Sequence, residues 1–201
     1  TFMVRCRARS WMIWGKAKAN RMATVSFPSY DRSKLTAGIV HIGLGNFHRA
    51  HLAVYMDDLF AMGLNHDWAI IGAGVRAPDA RMRAALKAQD YLSTVIELDP
   101  KGRSARRIGS MIDFVPVEAD NASLIATMSR PEIRIVSLTV TEGGYFVDAS
   151  GAFNPLAPEI VADGENPTRP ATAFGAIVAA LKARRLAGRR LSGGIASASG
   201  D

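Results

Sequence analysis

Gly43-Leu44-Gly45-Asn46-Phe47-His48-Arg49 is the segment whose residue types and spacing point most directly to chemistry. Two glycines two residues apart suit a chain that turns sharply out of a strand and brings its backbone against a diphosphate. The first permits the tight turn, and the second lets the backbone approach the phosphates. A helix starting there offers N–H groups without intrahelical partners and a positive dipole end, which together hold an anion. His48 stands where the usual fingerprint has its third glycine. Arg49 is open to two readings, a phosphate contact or a solvated first-turn arginine. An acidic residue past the second strand ordinarily grips the ribose hydroxyls. Asp79 is the candidate, about thirty residues beyond the glycine turn, where roughly twenty is usual. The same position suits an acid in a helix's first turn, favoured by the dipole. Arg76, close by, suits a 2′-phosphate, so NADP stays open beside NAD.

Other chemistries find less support. The four histidines are His41, His48, His51 and His66. His48 and His51 are spaced i, i+3 on one helix, yet no cysteine or carboxylate cluster completes a tetrahedral set, so no metal site is expected. There is no Gly-x-Ser-x-Gly elbow and no Walker loop. The single cysteine, Cys6, excludes an internal disulfide framework and a Cys-based zinc site. It agrees with a reducing compartment, and a cytoplasmic location is the expectation.

The elements that must carry the glycine turn are legible in the pattern. Gly38 to Gly43 is a short β-branched apolar run and reads as a buried strand. Leu52, Met56, Leu59 and Phe60 repeat at helical spacing, with Gly63 as the stop. Trp68 to Gly72 is a second buried strand, followed by a short helix from Pro78 to about Ala88. Tyr91 to Leu98 and Ile108 to Val117 read as an antiparallel hairpin around a type I turn at Asp99-Pro100-Lys101-Gly102. Leu124, Ile125 and Met128 mark a helix that Pro131 closes. Ile133 to Val140 is the clearest strand. A long loop over roughly 141–168 leads to a last helix marked by Phe174, Ile177, Val178 and Leu181. Strands buried on both faces and alternating with helices predict an α/β fold: a Rossmann-like, doubly wound, mostly parallel sheet with a β-hairpin insertion.

The 201 residues are 48% hydrophobic and 21% charged, which excludes a disordered chain, a collagen and a coiled coil. The net charge of +7 comes from the ends. Residues 1–30 hold six basic and no acidic residues, and residues 182–201 hold five basic residues against Asp201. The stretch 31–181 has 14 basic and 17 acidic residues, a net of −3. A basic face for nucleic acid is therefore not expected. No stretch approaches eighteen apolar residues, so no membrane-spanning helix is expected either. The organisation read from the chain is a loose basic extension over 1–34, a folded domain over 35–187, and a flexible tail over 188–201 rich in Gly, Ser and Ala. Residues 1–21 read as an upstream extension, with Met22 a plausible natural start.

Three segments carry a family resemblance. Gly38 to His51 (GIVHIGLGNFHRAH), Gln89-Asp90-Tyr91-Leu92, and Pro131 to Tyr145 (PEIRIVSLTVTEGGY) resemble the N-terminal domain of the mannitol dehydrogenase family. These are polyol-specific long-chain dehydrogenases, fructuronate and tagaturonate reductases among them. The likeness runs from about 35 to about 187. It implies a Rossmann-type domain that binds NAD, less often NADP. It also implies reversible, zinc-free oxidation of a secondary alcohol of a polyol or aldonate to a ketone, with a small polyol or hexuronate as substrate and neither nucleic acid nor membrane as partner. The cofactor loop carries over onto Ile39, His41, Gly43, Leu44, Gly45, Asn46, Phe47, His48 and Arg49. Asp79 falls where the family's NAD-preferring members keep a ribose-binding acid, and Thr141, Glu142 and Gly143 fall at the nicotinamide end.

The departures are as informative. Pro78 stands where some members have a second acid. Leu191 to Asp201 does not match the family's Ser-Cys-Asp-Asn-like continuation. The Lys-x4-Asn-x2-His pattern of the family's catalytic lysine does not occur in the 201 residues. No catalytic residue is therefore assigned, and the abrupt change near Gly188 suggests truncation or a change of frame. The expectation is a cofactor-binding half that binds NAD without turnover. The alternative is a non-catalytic nucleotide-binding module or an inactive fragment. An uncovered apolar face would favour aggregation or dimerisation.

Overall fold

The computed structural model describes residues 3–5, 25–99, 102–188 and 196–197. The strands are β1 (Met3–Arg5), β2 (Val25–Ser26), β3 (Ala37–Ile42), β4 (Ala69–Ala73), β5 (Ser93–Asp99), β6 (Gly102–Ile108), β7 (Met111–Phe114), β8 (Ile135–Leu138) and β9 (Ala196–Ser197). The helices are α1 (Asn46–Ala50), α2 (Leu52–Ala61), α3 (Ala77–Lys87), α4 (Ala122–Met128), α5 (Pro158–Glu165) and α6 (Ala173–Leu186).

The main sheet has the order β7-β4-β3-β8-β9, and every described pairing in it is parallel. The chain runs outward from β3 to β7 on one side and then returns to β8 on the other. That reversal leaves a crevice at the carboxyl ends of β3 and β8, where a doubly wound sheet binds its ligands. Successive side chains on a strand face opposite ways, and the two cores follow that rule. Val40, Ile42, Ile71, Val136 and Leu138 pack with Leu124 and Met128 of α4 and Ala176 and Ile177 of α6. Ile39 and Ile70 pack on the other face with Met56 and Phe60 of α2 and Leu86 of α3. Each fully buried side chain of this size contributes about 1.5–3 kcal/mol, so both helix layers are fixed by the strands' alternation.

The hairpin is present, but its second strand lies earlier in the chain than the pattern suggests. β5 pairs antiparallel with β6, from Ser93 opposite Ile108 to Asp99 opposite Gly102. The centre of the expected type I turn, Pro100-Lys101, lies outside the described residues. The stretch Ile108 to Val117, expected as one strand of the hairpin, divides at Gly109-Ser110. Its later part is β7, which pairs parallel with β4. Buried polar bonds fix the division: Gly109 N donates to Asp57 Oδ1 at 2.8 Å, and Ser110 Oγ donates to the Ala53 carbonyl at 2.6 Å. Both partners lie on α2, so the chain passes from one sheet to the other across that helix.

Four further stretches differ from the pattern. The helix after Gly45 breaks at His51 (φ −123°, ψ −86°) into α1 and α2. The stretch 141–168 contains a 3-10 turn at Glu142–Tyr145 and the helix α5, which starts with Pro158 in its first turn. Within the extension expected to be loose over 1–34, residues 25–34 pack into the fold. β2 pairs with β6, Tyr30 donates its hydroxyl to Asp57 Oδ1 at 2.6 Å, and Arg32 Nε donates to the Gly109 carbonyl at 3.0 Å. The tail expected over 188–201 places β9 beside β8 as a further parallel strand, since the edge of β8 offers unpaired backbone groups. Exposed Val147, Phe153 and Leu156 lie between β8 and α5. Among the described residues, no helix is long and apolar enough to cross a membrane.

Asp57 ties these parts together. Its side chain is 6% exposed, and it receives Tyr30, Gly109 N and Arg106 Nη2, the last at 2.8 Å. Burial, and then the bond to Asp57, push the Tyr30 hydroxyl above the usual tyrosine range. Asp57→Ala leaves the buried Gly109 N–H and the Tyr30 hydroxyl without their acceptor and Arg106 with Asp58 alone. It is expected to lower unfolding stability by about 2–4 kcal/mol in urea titration; a loss under about 1 kcal/mol would contradict this role.

Candidate functional site

A cavity of about 620 Å³ opens at the carboxyl ends of β3, β4 and β8. Its floor is the turn Gly43-Leu44-Gly45. One wall is the segment after β4, with Gly74, Arg76 and Asp79. The opposite wall is the segment after β8, Thr139 to Thr141, with Glu159 of α5 and Thr172 ahead of α6 beyond it. The volume falls within the roughly 300–1,000 Å³ typical of small-molecule and cofactor sites.

The two glycines of the turn act by different physics. Gly43 has φ +93°, and a Cβ there would lie 2.0 Å from the Thr139 carbonyl oxygen. The turn is pinned on both sides: Gly43 N donates to the Ala73 carbonyl, and Thr139 N donates to the Ile42 carbonyl, each at 2.9 Å. Gly45 has an ordinary backbone, φ −68°, as N-cap of α1, and a Cβ there would meet nothing within 4 Å. Among the described residues, nothing requires glycine at 45. The backbone is bare where it borders the cavity, as close approach by a diphosphate requires.

Asp79 caps a helix and faces the cavity. Its Oδ2 accepts a hydrogen bond from Arg76 N at 2.9 Å, as a first-turn acid of α3 does. It also lines the cavity. It lies folded over Gly74, where an added Cβ would fall 2.3 Å from the Asp79 Cβ. A carboxylate accepts several hydrogen bonds, so the cap leaves acceptor capacity for a diol.

The structure brings Gly43, Leu44, Gly45, Asp79, Thr141 and Gly143 to the cavity wall. The wall is formed without the other described residues nominated from the sequence. Ile39 is 3% exposed and packed in the core under α2, because its position on β3 alternates away from the crevice. His41 and His48 are buried and stacked on each other, ring centroids 3.8 Å apart. Arg49 is not the solvated arginine that one reading gives. It is 4% exposed, with Nε to the Gly45 carbonyl at 3.4 Å and Nη2 to Asn46 Oδ1 at 2.7 Å, and so braces the start of α1 from within. Asn46 is exposed and holds that arginine, and Phe47 stacks on His51 at 4.4 Å. The Glu142 side chain lies outside the described residues, while its backbone opens the 3-10 turn after β8. Among the described residues, no group of three or more His, Cys, Asp or Glu is placed to hold a metal ion.

Several wall residues went unnoticed in the sequence. Gly74 had a readable signal, a glycine just past the second strand as Gly43 is just past the first. Thr139 had one in its nearness to Thr141. Glu159 and Thr172 had none, because α5 is set by side-chain bonds within a stretch that carries no helical apolar repeat. Asp163 accepts from Thr172 Oγ1 at 2.5 Å and from Ala171 N at 2.7 Å, which locks α5 against the start of α6.

A parallel doubly wound sheet with a glycine turn at its crossover and a walled cavity above it defines a dinucleotide-binding type of α/β domain. The family model of the mannitol dehydrogenase Rossmann domain matches residues 37–192, and the chain belongs to that family. It is 73% identical over 165 residues to a mannitol 2-dehydrogenase of Cereibacter sphaeroides, covering 82% of this chain and 35% of that protein. It is 42% identical to a polyol:NADP oxidoreductase of Gluconobacter oxydans, covering 83% of this chain and 35% of that protein. Among solved structures, the Pseudomonas fluorescens mannitol 2-dehydrogenase ternary complex with NAD and D-mannitol superposes with a TM-score of 0.81 at 44% identity, over 87% of this chain and 36% of the other. The chain thus spans about a third of the length of these relatives.

Two stability predictions follow from the turn and the histidines beneath it. Gly43→Ala is expected to cost about 2–4 kcal/mol, from the positive φ and the clash with Thr139, whereas Gly45→Ala stays within about 0.5 kcal/mol of the parent. Equal losses in thermal unfolding would contradict the distinction. Burial lowers the His41 value to about 4, a hydrogen bond with the Gly43 backbone opposing it in part. Burial, and then the charges of His41 and Arg49, hold His48 well below the ordinary range. Between about 4 and the unfolded value of about 6.5, the unfolded chain binds the extra proton. The stability is complete above that window and lost as pH falls through it. Urea unfolding is expected to lose about 2 kcal/mol through His41 between about pH 7 and pH 4.5, a loss missing from His41→Gln.

Proposed function

We propose that this chain carries the NAD-binding part of a polyol dehydrogenase of the mannitol 2-dehydrogenase type, which interconverts a secondary alcohol of a polyol or aldonate and the ketone. The observation that carries the reading is Gly45: a glycine that packing among the described residues does not require, bordering a cavity of cofactor-site size. The likeness to the Pseudomonas fluorescens enzyme, a ternary complex with NAD and D-mannitol, supports the cofactor and the substrate class.

In this reading the backbone N–H groups at the start of α1 hold the diphosphate above Gly43–Gly45. Asp79 accepts the hydroxyls of the adenosine ribose. Its negative charge disfavours a 2′-phosphate at the same place, which supports NAD over NADP. Thr139 to Thr141 shape the far end of the crevice, on the β8 side. When bound, the oxidised nicotinamide supplies the hydride acceptor for the carbinol carbon, and a positioned base must take the hydroxyl proton. The family's lysine pattern does not occur in these 201 residues. The chain therefore binds cofactor and does not turn over.

Calorimetric titration tests this. NAD is expected to bind at least roughly tenfold tighter than NADP, and Gly45→Val to weaken NAD at least tenfold by filling the approach. No heat with millimolar NAD would sink the reading. NADH formed from NAD and D-mannitol by this chain alone would overturn the absence of turnover.

A further inference from the structure

A buried chain of polar groups ends at the cavity wall. Ser137 Oγ lies 2.8 Å from His41 Nδ1, and His41 Nε2 lies 3.1 Å from Thr139 Oγ1. Ser137 is 8% exposed and His41 3%, whereas Thr139 lines the cavity. His48 lies flat on His41, the ring planes 20° apart. Among the described residues, neither ring nitrogen of His48 has a hydrogen-bond partner. His48 therefore supplies a surface that fixes the plane of the His41 ring and so directs its two nitrogens at Ser137 and Thr139.

A neutral imidazole donates from one nitrogen and accepts at the other. The two tautomers give the cavity opposite chemistry. With the proton on Nδ1, the ring donates to Ser137, and Thr139 spends its O–H on Nε2. The cavity then sees only oxygen lone pairs. With the proton on Nε2, Ser137 donates to Nδ1, the ring donates to Thr139, and the Thr139 O–H is left to donate outward. Successive bonds of this kind polarise one another. The turn beside Thr139 is built for an anionic, oxygen-rich ligand, which calls for donors.

We propose that Ser137, His41 and Thr139 form a donor relay in which His41 carries its proton on Nε2 and Thr139 presents a hydroxyl donor to an oxygen of the bound dinucleotide on the β8 side. The proposal rests on the NAD reading above. Thr139 is the contact. His41 is a positioning residue that acts through it, and His48 holds the ring.

Two measurements on the full chain test the relay. Long-range proton–nitrogen correlation spectra of nitrogen-15-labelled protein at neutral pH are expected to show His41 as the Nε2–H tautomer. The Nδ1–H tautomer overturns the proposal without any variant. By calorimetry, Thr139→Val is expected to weaken NAD binding roughly tenfold, and Thr139→Ser to stay within about threefold of the parent. Ser137→Ala is expected to weaken NAD about threefold alone, and less than about twofold when added to Thr139→Val, since its effect passes through that hydroxyl. NAD binding unchanged in Thr139→Val overturns the relay and leaves the NAD reading standing. A parent chain that binds no NAD overturns the NAD reading itself, while the tautomer remains measurable on its own.

Discussion

The carbonyl oxygen of Thr139 occupies the place where a side chain on Gly43 would be. That contact is what lets the end of β3 lie directly against the segment leaving β8, and the crevice exists because those two strand ends meet there. A side chain at 43 would push the two segments apart and move the turn, the start of α1 and the Thr139 hydroxyl together. Gly43 N to Ala73 O and Thr139 N to Ile42 O hold the same junction from both sides. The cavity floor is thus a backbone structure, and the side chains around it are placed by that backbone.

The layer beneath the floor is polar and sealed. His41, His48 and Arg49 are all buried directly below or behind the turn. His41 bonds to groups on β8 and just past it, and Arg49 bonds within α1. A loop sequence that looks like a ligand's contact surface is therefore largely a scaffold. The backbone of Gly43 to Gly45 borders the cavity, while the side chains of His41, His48 and Arg49 pack into the protein. The hairpin sheet is joined to this scaffold from a distance, through Asp57, Gly109 and Ser110 around α2.

The family likeness and the geometry bear on different questions. Residues 37–192 match the mannitol dehydrogenase Rossmann domain, which places the chain in the family and accounts for the parallel sheet. The likeness does not say which residue of GLGNFHRAH faces the cofactor, because a family motif records that a residue recurs and not why. Packing supplies the reason: Gly45 borders open space, Gly43 is held by Thr139, and His48 supports a ring.

By itself the sequence determined the parallel α/β class, the strands β3, β4 and β8, the presence of a hairpin that starts with β5, the glycine turn after β3 and an acid in the first turn of α3. Each is a property of a few consecutive residues: β-branched runs buried on both faces, a 3.6-residue apolar repeat, a glycine after a strand, an acid in a first helical turn. Only the tertiary structure decided that Ile108 to Val117 serves two sheets, that residues 25–34 pack into the fold, that α5 forms within a loop-like stretch, and that His41 and His48 lie beneath the site instead of in it. Those outcomes rest on contacts between residues far apart in the chain, Gly109 with Asp57 at a separation of 52 and His41 with Ser137 at 96. A local pattern carries no record of a partner that distant, because the free energy that selects it arises only when the two segments have already been brought together.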